Sequence, residues 1–171
     1  MKVVFDIDGV LRNLSGKLNE WYGFPKDPPD WDYRDENTNS TVKDLLKKDP
    51  SVFAEAEMTW FADILISKFD DIECWTVQEE EWIKYTDMWL KKHMWKPFKV
   101  KYFPHFVDKY KAIEDLDGYI FDDYPRFEHY EKVIIPTYNY NKDVICDRRF
   151  DDKLSLLYEI KKIKSEKSKY D

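Results

Sequence analysis

The feature that most constrains this chain is its opening run, Val3-Val4-Phe5-Asp6-Ile7-Asp8-Gly9-Val10-Leu11. Val3, Val4 and Phe5 are apolar, two of them β-branched, and read as a short buried strand. Asp6 and Asp8 follow at alternate positions, and Gly9 turns the chain. Both carboxylates therefore stand at the carboxyl end of a buried strand, where open α/β sheets place their ligand sites. Two ionised carboxylates this close repel one another in a low-dielectric site. Either one keeps a proton or a divalent cation neutralises the pair, and aspartate oxygens around an octahedral position suit Mg²⁺.

Downstream, helix and strand signals alternate. Leu14, Leu18, Trp21 and Tyr22 recur at helical spacing, and Gly23 with Pro25 ends that helix. Residues 23–41 are polar and Pro-rich, a long connection. A short helix follows over 41–48. Asp49-Pro50 then predicts a longer one, with Phe53, Ala56, Trp60, Phe61, Ile64 and Leu65 on one face. Strands are expected over 72–76, 98–102, 118–121 and 133–135. Between them lie a helix opened by Glu79, Glu80 and Glu81 and closed by Lys91, Lys92 and His93, and a helix over 107–116. A last helix starts near Asp151 or Asp152. This order predicts an α/β fold: a mostly parallel five-stranded sheet, centred on the first strand, between two helical layers.

At 171 residues the chain suits one domain with a modest insertion, and 43% hydrophobic residues suffice for its core. No apolar run reaches membrane-spanning length, and the chain opens on a strand instead of a signal peptide. Cys74 and Cys146 lack C-x-x-C spacing, and His93, His105 and His129 are dispersed, so neither a disulfide framework nor a zinc site is indicated. A cytoplasmic location is expected. The net charge of −7 argues against a nonspecific nucleic-acid coat. A block containing Lys91, Lys92, Lys96, Lys99, Lys101, Lys109 and Lys111 either attracts an anionic substrate or solvates a helix end and a strand edge.

Two further strand ends carry chemistry. The second strand finishes at Trp75-Thr76, whose hydroxyl either donates to a phosphate oxygen or caps the next helix, as Gln78 also can. The fourth finishes at Phe121-Asp122-Asp123-Tyr124-Pro125, a second acidic pair after an apolar strand.

In order, these motifs resemble those of the haloacid dehalogenase-like phosphohydrolases. Asp6-Ile7-Asp8-Gly9-Val10-Leu11 is similar to the first motif, Thr76 to the second, a lysine ahead of the fourth strand to the third, and Asp122-Asp123 to the fourth. The resemblance implies that Asp6 attacks phosphorus and that Asp8 is general acid and base. It implies that Thr76 and the lysine hold the phosphoryl group, and that Asp6, Asp122, Asp123 and Asp8, through its backbone carbonyl, attend Mg²⁺. Lys109 and Lys111 both qualify as the lysine, and spacing to Asp122 favours Lys111. The chain then divides into a core, 1–12 and 70–171, and a small helical cap, 13–69. Asp122-Asp123-Tyr124-Pro125 and Pro136-Thr137-Tyr138-Asn139 look like the 5'(3')-deoxyribonucleotidase branch. Of the cap aromatics Trp21, Tyr22, Phe24, Trp31 and Tyr33, Trp21 and Trp31 are candidates to touch a base, the alternative being that all of them build the cap's own core.

The expected activity is a Mg²⁺-dependent phosphomonoesterase acting on (deoxy)nucleoside monophosphates through an aspartyl-phosphate. Its partner is a small phosphate ester, with no membrane and nucleic acid disfavoured. Two alternatives stand beside it: a phosphatase acting on nucleic-acid ends or another phosphate ester, and a non-catalytic phosphate- or metal-binding module on the same fold.

Overall fold

The computed structural model describes residues 1–29, 32–124, 126 and 131–168. The elements run β1 (Lys2–Phe5), α1 (Leu14–Tyr22), α2 (Val42–Lys48), α3 (Val52–Glu55), α4 (Ala62–Lys68), β2 (Ile72–Val77), α5 (Glu80–His93), β3 (Phe98–Phe103), α6 (Phe106–Glu114), β4 (Gly118–Phe121), β5 (Val133–Pro136), β6 (Arg149–Phe150) and α7 (Lys153–Lys167). A 3₁₀ turn spans Asn139–Asn141.

The strands form one sheet in the order β3-β2-β1-β4-β5-β6, every neighbouring pair parallel. The α/β class, the parallel sheet and the central place of β1 agree with the sequence reading. The strand number does not: six strands stand where five were expected. The sixth is the two-residue β6, held by the registers Ile135 to Arg149 and Pro136 to Phe150. Two residues are too few to display a period.

Strand alternation sorts the core. Val3, Phe5, Cys74, Phe121 and Ile134 face one way and pack against α4, α5 and α7 through Leu65, Trp89, Leu156 and Ile160. Val4, Trp75, Ile120, Val133 and Ile135 face the other way, against Ile113 of α6 and Leu116 just after it. A third cluster, Leu14, Leu18, Phe24, Leu45, Leu46, Val52 and Phe53, belongs to the insertion and takes Trp82 of α5 into its edge. From Phe61 onward the inserted segment packs on the sheet core.

The single long helix expected after Pro50 is two short ones, α3 and α4, with 56–61 between them. The break has a tertiary cause. Residues 57–59 pair with the loop after β1: Asn13 N–H donates to the Glu57 carbonyl at 2.8 Å, Thr59 N–H to the Leu11 carbonyl at 2.9 Å, and the Thr59 hydroxyl to the Val10 carbonyl at 2.6 Å. These bonds replace helical ones that the apolar spacing alone predicts. Helix ends elsewhere follow local chemistry: Thr41 and Asp44 form a capping box on α2, and Asp152 caps α7. Gly23, at φ +70°, closes α1 in the left-handed conformation. Among the described residues, no helix is long and apolar enough to cross a membrane.

Candidate active site

The site lies where the sheet topology predicts one. The chain goes outward from β1 through β2 to β3, then returns to place β4 on the other flank of β1, so β1 and β4 border the switch point. Their registers align Phe5 with Phe121, so Asp6 and Asp122 leave adjacent carboxyl ends side by side. Both continue the alternation of Val4 and Ile120 and so turn toward the layer of α6.

Lys109, from α6, meets them there. It is 3% exposed, and its Nζ donates to Asp6 Oδ1 at 2.7 Å and lies 2.7 Å from Asp122 Oδ2. This corrects the choice of Lys111. Lys109 lies one helical turn from the buried Ile113, whereas Lys111 is rotated about 200° from Lys109 and is exposed to solvent. Of the lysine block, Lys109 alone lines the cavity described below; Lys96 instead donates to the Phe69 carbonyl at 2.8 Å, and Lys92 pairs with Glu55.

Asp6, Asp122 and Asp123, all buried, bring one carboxylate oxygen each within 4.8 Å of one another. Lys109 offsets one of these three charges. Burial foremost, then Asp122 and Asp8, pushes the Asp6 carboxyl up to about 7 against the pull of Lys109. Burial, then Asp6 and Asp122, pushes Asp123 well above the carboxylate range, although the Tyr140 hydroxyl donates to it. Lys109 is held above its usual range: burial opposes its charge, but Asp122 and Asp6 outweigh that. Asp122 Oδ1 accepts the Tyr124 N–H at 3.0 Å. Asp122 Oδ2 is near Lys109 in distance, but not in hydrogen-bonding geometry, and is a buried oxygen with no hydrogen-bond partner. Three clustered carboxylates against a single ammonium leave net negative charge, and that donor set suits a hard divalent cation such as Mg²⁺.

Asp8 contributes no side-chain oxygen to this cluster. Its carboxylate accepts from Arg12 Nε at 2.7 Å, Arg12 Nη2 at 2.9 Å and Gln78 Nε2 at 3.3 Å. Gln78 therefore serves the site; α5 begins without a side-chain cap. Gly9 is required by close approach as well as by its φ of +74°, since a Cβ there would lie 2.0 Å from Asp123 Oδ2. Behind Asp123, Tyr138 donates to the Gly9 carbonyl at 2.9 Å and Asn141 to the Asp123 carbonyl at 2.9 Å.

A cavity of about 680 Å³ opens above these groups, lined by Asp6, Asp8, Thr76, Lys109, Asp122 and Asp123 on the sheet side. Phe53, Trp82, Phe106 and Tyr124 supply aromatic walls, and the rings of Phe106 and Tyr124 stack at 4.4 Å. Thr76, 2% exposed, stands in β2 as expected. Trp21 is a correction: it is 38% exposed on α1, edge-on to Tyr22, and does not line the cavity. Phe24 is buried in the insertion's own cluster. Trp31 and Pro125 lie outside the described residues, as does His129.

Sequence reading missed Arg12, Thr86, Tyr140 and the four wall aromatics. Only Arg12 left a signal, a cation four residues after Asp8 behind the apolar pair Val10-Leu11.

The fold and site define a parallel α/β protein with an acidic, lysine-bridged cluster at its switch point, roofed by an insertion after β1. Comparison with protein-family models and with curated proteins finds no match to this chain.

Proposed function

We propose that this chain is a divalent-cation-dependent phosphomonoesterase of the haloacid dehalogenase-like type, acting on nucleoside monophosphates. The observation that carries the reading is Lys109 bridging Asp6 and Asp122 beside Asp123, with Thr76 on the same cavity and Asp8 two residues on. The aromatic walls and the volume suit a base-sized apolar group attached to a phosphate.

In the first step an Asp6 carboxylate oxygen bonds to phosphorus while the bond from phosphorus to the ester oxygen breaks, and Asp8 gives that oxygen its proton. In the second, water attacks phosphorus, the bond to Asp6 breaks, and Asp8 takes the proton released. Ester and water become alcohol and phosphate, and both aspartates return to their starting states. Lys109 and the Thr76 hydroxyl hold the phosphoryl oxygens as their charge grows. Asp6, Asp122 and Asp123 would hold Mg²⁺, which supplies further neutralisation of phosphoryl charge when bound.

The test is phosphate release from an aryl phosphate and from a panel of nucleoside and sugar monophosphates, with Mg²⁺ and with a chelator. Release that needs Mg²⁺ and is fastest for nucleotides is expected. No release from any ester would reject the reading.

A further inference from the structure

Arg12 is fully buried, yet four of its donor contacts are specific. Nε and Nη2 take the two oxygens of Asp8. Nη1 donates to the Phe53 carbonyl in α3 at 3.0 Å and to the Thr86 hydroxyl in α5 at 3.1 Å. A guanidinium only donates, so Thr86 accepts from it and its own proton goes to Gln78 Oε1, at 2.7 Å. That bond orients the Gln78 amide and aims its Nε2 at Asp8 Oδ2. The ring Arg12, Asp8, Gln78, Thr86 closes on itself. The guanidinium lies against Phe53 and Trp89, at 4.6 and 5.4 Å from the ring centres.

The ring treats the two oxygens of Asp8 unequally. Oδ2 accepts two hydrogen bonds, which fills its two lone pairs. Oδ1 accepts one, from Arg12 Nε, and keeps a lone pair. Asp8, Gln78 and Phe53 all line the cavity, so three of the groups that this ring fixes face the place where a substrate would sit.

We propose that Arg12 is the positioning residue for Asp8: its planar fork turns the carboxylate so that Oδ1 carries the proton exchanged with the leaving oxygen, and its bond to Phe53 ties that orientation to the insertion. This rests on the phosphomonoesterase reading. Lysine cannot replace the fork, because one ammonium cannot grip both oxygens and also reach Phe53 and Thr86.

The test compares Arg12→Lys with the unaltered chain in Mg²⁺, using first-turnover rates on 4-nitrophenyl phosphate and on an alkyl phosphate. A good leaving group departs without a proton; an alkoxide does not. The expected result for Arg12→Lys is an alkyl phosphate rate lowered about 10²–10⁴-fold. The aryl first-turnover rate stays within about tenfold, a burst precedes a slow steady state, and KM changes little. Combining Arg12→Lys with Asp8→Asn should add no further loss on the alkyl ester, since both remove one function. Thr86→Val and Gln78→Leu, which leave Arg12 in place, should give the same leaving-group dependence at about tenfold, and they decide the matter if Arg12→Lys does not fold. Equal losses on both esters in these variants, or a raised KM with unchanged kcat, would overturn the role of Arg12 while leaving the function standing. An unaltered chain inactive on both esters would overturn both.

Discussion

Replacing Lys109 with methionine keeps the length of the side chain and removes its charge. Two carboxylates lose a cation at 2.7 Å each. At an effective dielectric near 20, each contact is worth about 6 kcal/mol gross. Much of this is returned, because the ammonium no longer needs desolvation and the stranded carboxylates relax by binding protons. Breaking a buried pair by removing one partner costs about 3–5 kcal/mol net. For a domain of this size that lowers Tm by about 6–20 °C. Turnover should fall about 10²–10³-fold, as when a donor to developing phosphoryl charge is lost. Lys111→Met is the matched control: exposed on the same helix, it should stay within about 0.5 kcal/mol of the unaltered chain and keep its turnover. Thermal unfolding and phosphate release on both variants give the answer. A stable, active Lys109→Met beside a damaged Lys111→Met would refute the site geometry.

Because Asp6 titrates at about 7 in the fold against 3.8 for the ordinary group, its contribution to stability falls as pH rises between those values and then levels off. A divalent cation held by this cluster would need it deprotonated, so the Mg²⁺-induced rise in Tm should be larger near about pH 8 than near about pH 5.5, and Asp6→Asn should reduce that difference; an equal rise at both values in the unaltered chain would contradict it. Gly9→Ala should cost about 1–3 kcal/mol through its backbone conformation and also weaken Mg²⁺ affinity by displacing Asp123, as read by denaturant melts and titration calorimetry. Unchanged Mg²⁺ affinity would separate the turn from the cluster. Asp8→Asn should give a burst from an aryl phosphate and then stall, since departure needs no acid there but hydrolysis still needs a base; steady release without a burst would count against it.

The parts of this site that were legible in the sequence are those fixed by local chemistry. An apolar strand ending in Asp6 or Asp122 declares both its burial and its direction, and Thr76 follows from the end of its own strand. The alternation of strands and helices was enough for the sheet and for the central place of β1. What sequence could not supply depends on which side of an element meets which neighbour. Lys109 and Lys111 sit on one helix, and spacing to Asp122 cannot say which faces the sheet; the packing of Ile113, with Tyr110 and Ala112 beside it, fixes that rotation. The break between α3 and α4 is invisible for a similar reason. Its bonds run from Glu57 and Thr59 to residues 10–13, across more than forty positions of chain. Trp21 is close in sequence to the loop after β1, which suggests a ligand contact, but α1 turns it outward. Phe53, Trp82, Phe106 and Tyr124 line the cavity from three helices and a loop, and no local pattern joins them.

The claim on which everything rests is that Asp6 becomes phosphorylated. Asp8→Asn, mixed with Mg²⁺ and an aryl phosphate, should accumulate the acyl phosphate because its hydrolysis is slow. Quenching in acid, reducing with borohydride and sequencing by mass spectrometry reports the residue, since an acyl phosphate is reduced to an alcohol. Homoserine is expected at position 6 in the peptide that holds the opening motif, with an untouched position 6 in Asp6→Asn treated alike. Label at any other residue, or product formed with no labelled residue at all, would contradict it.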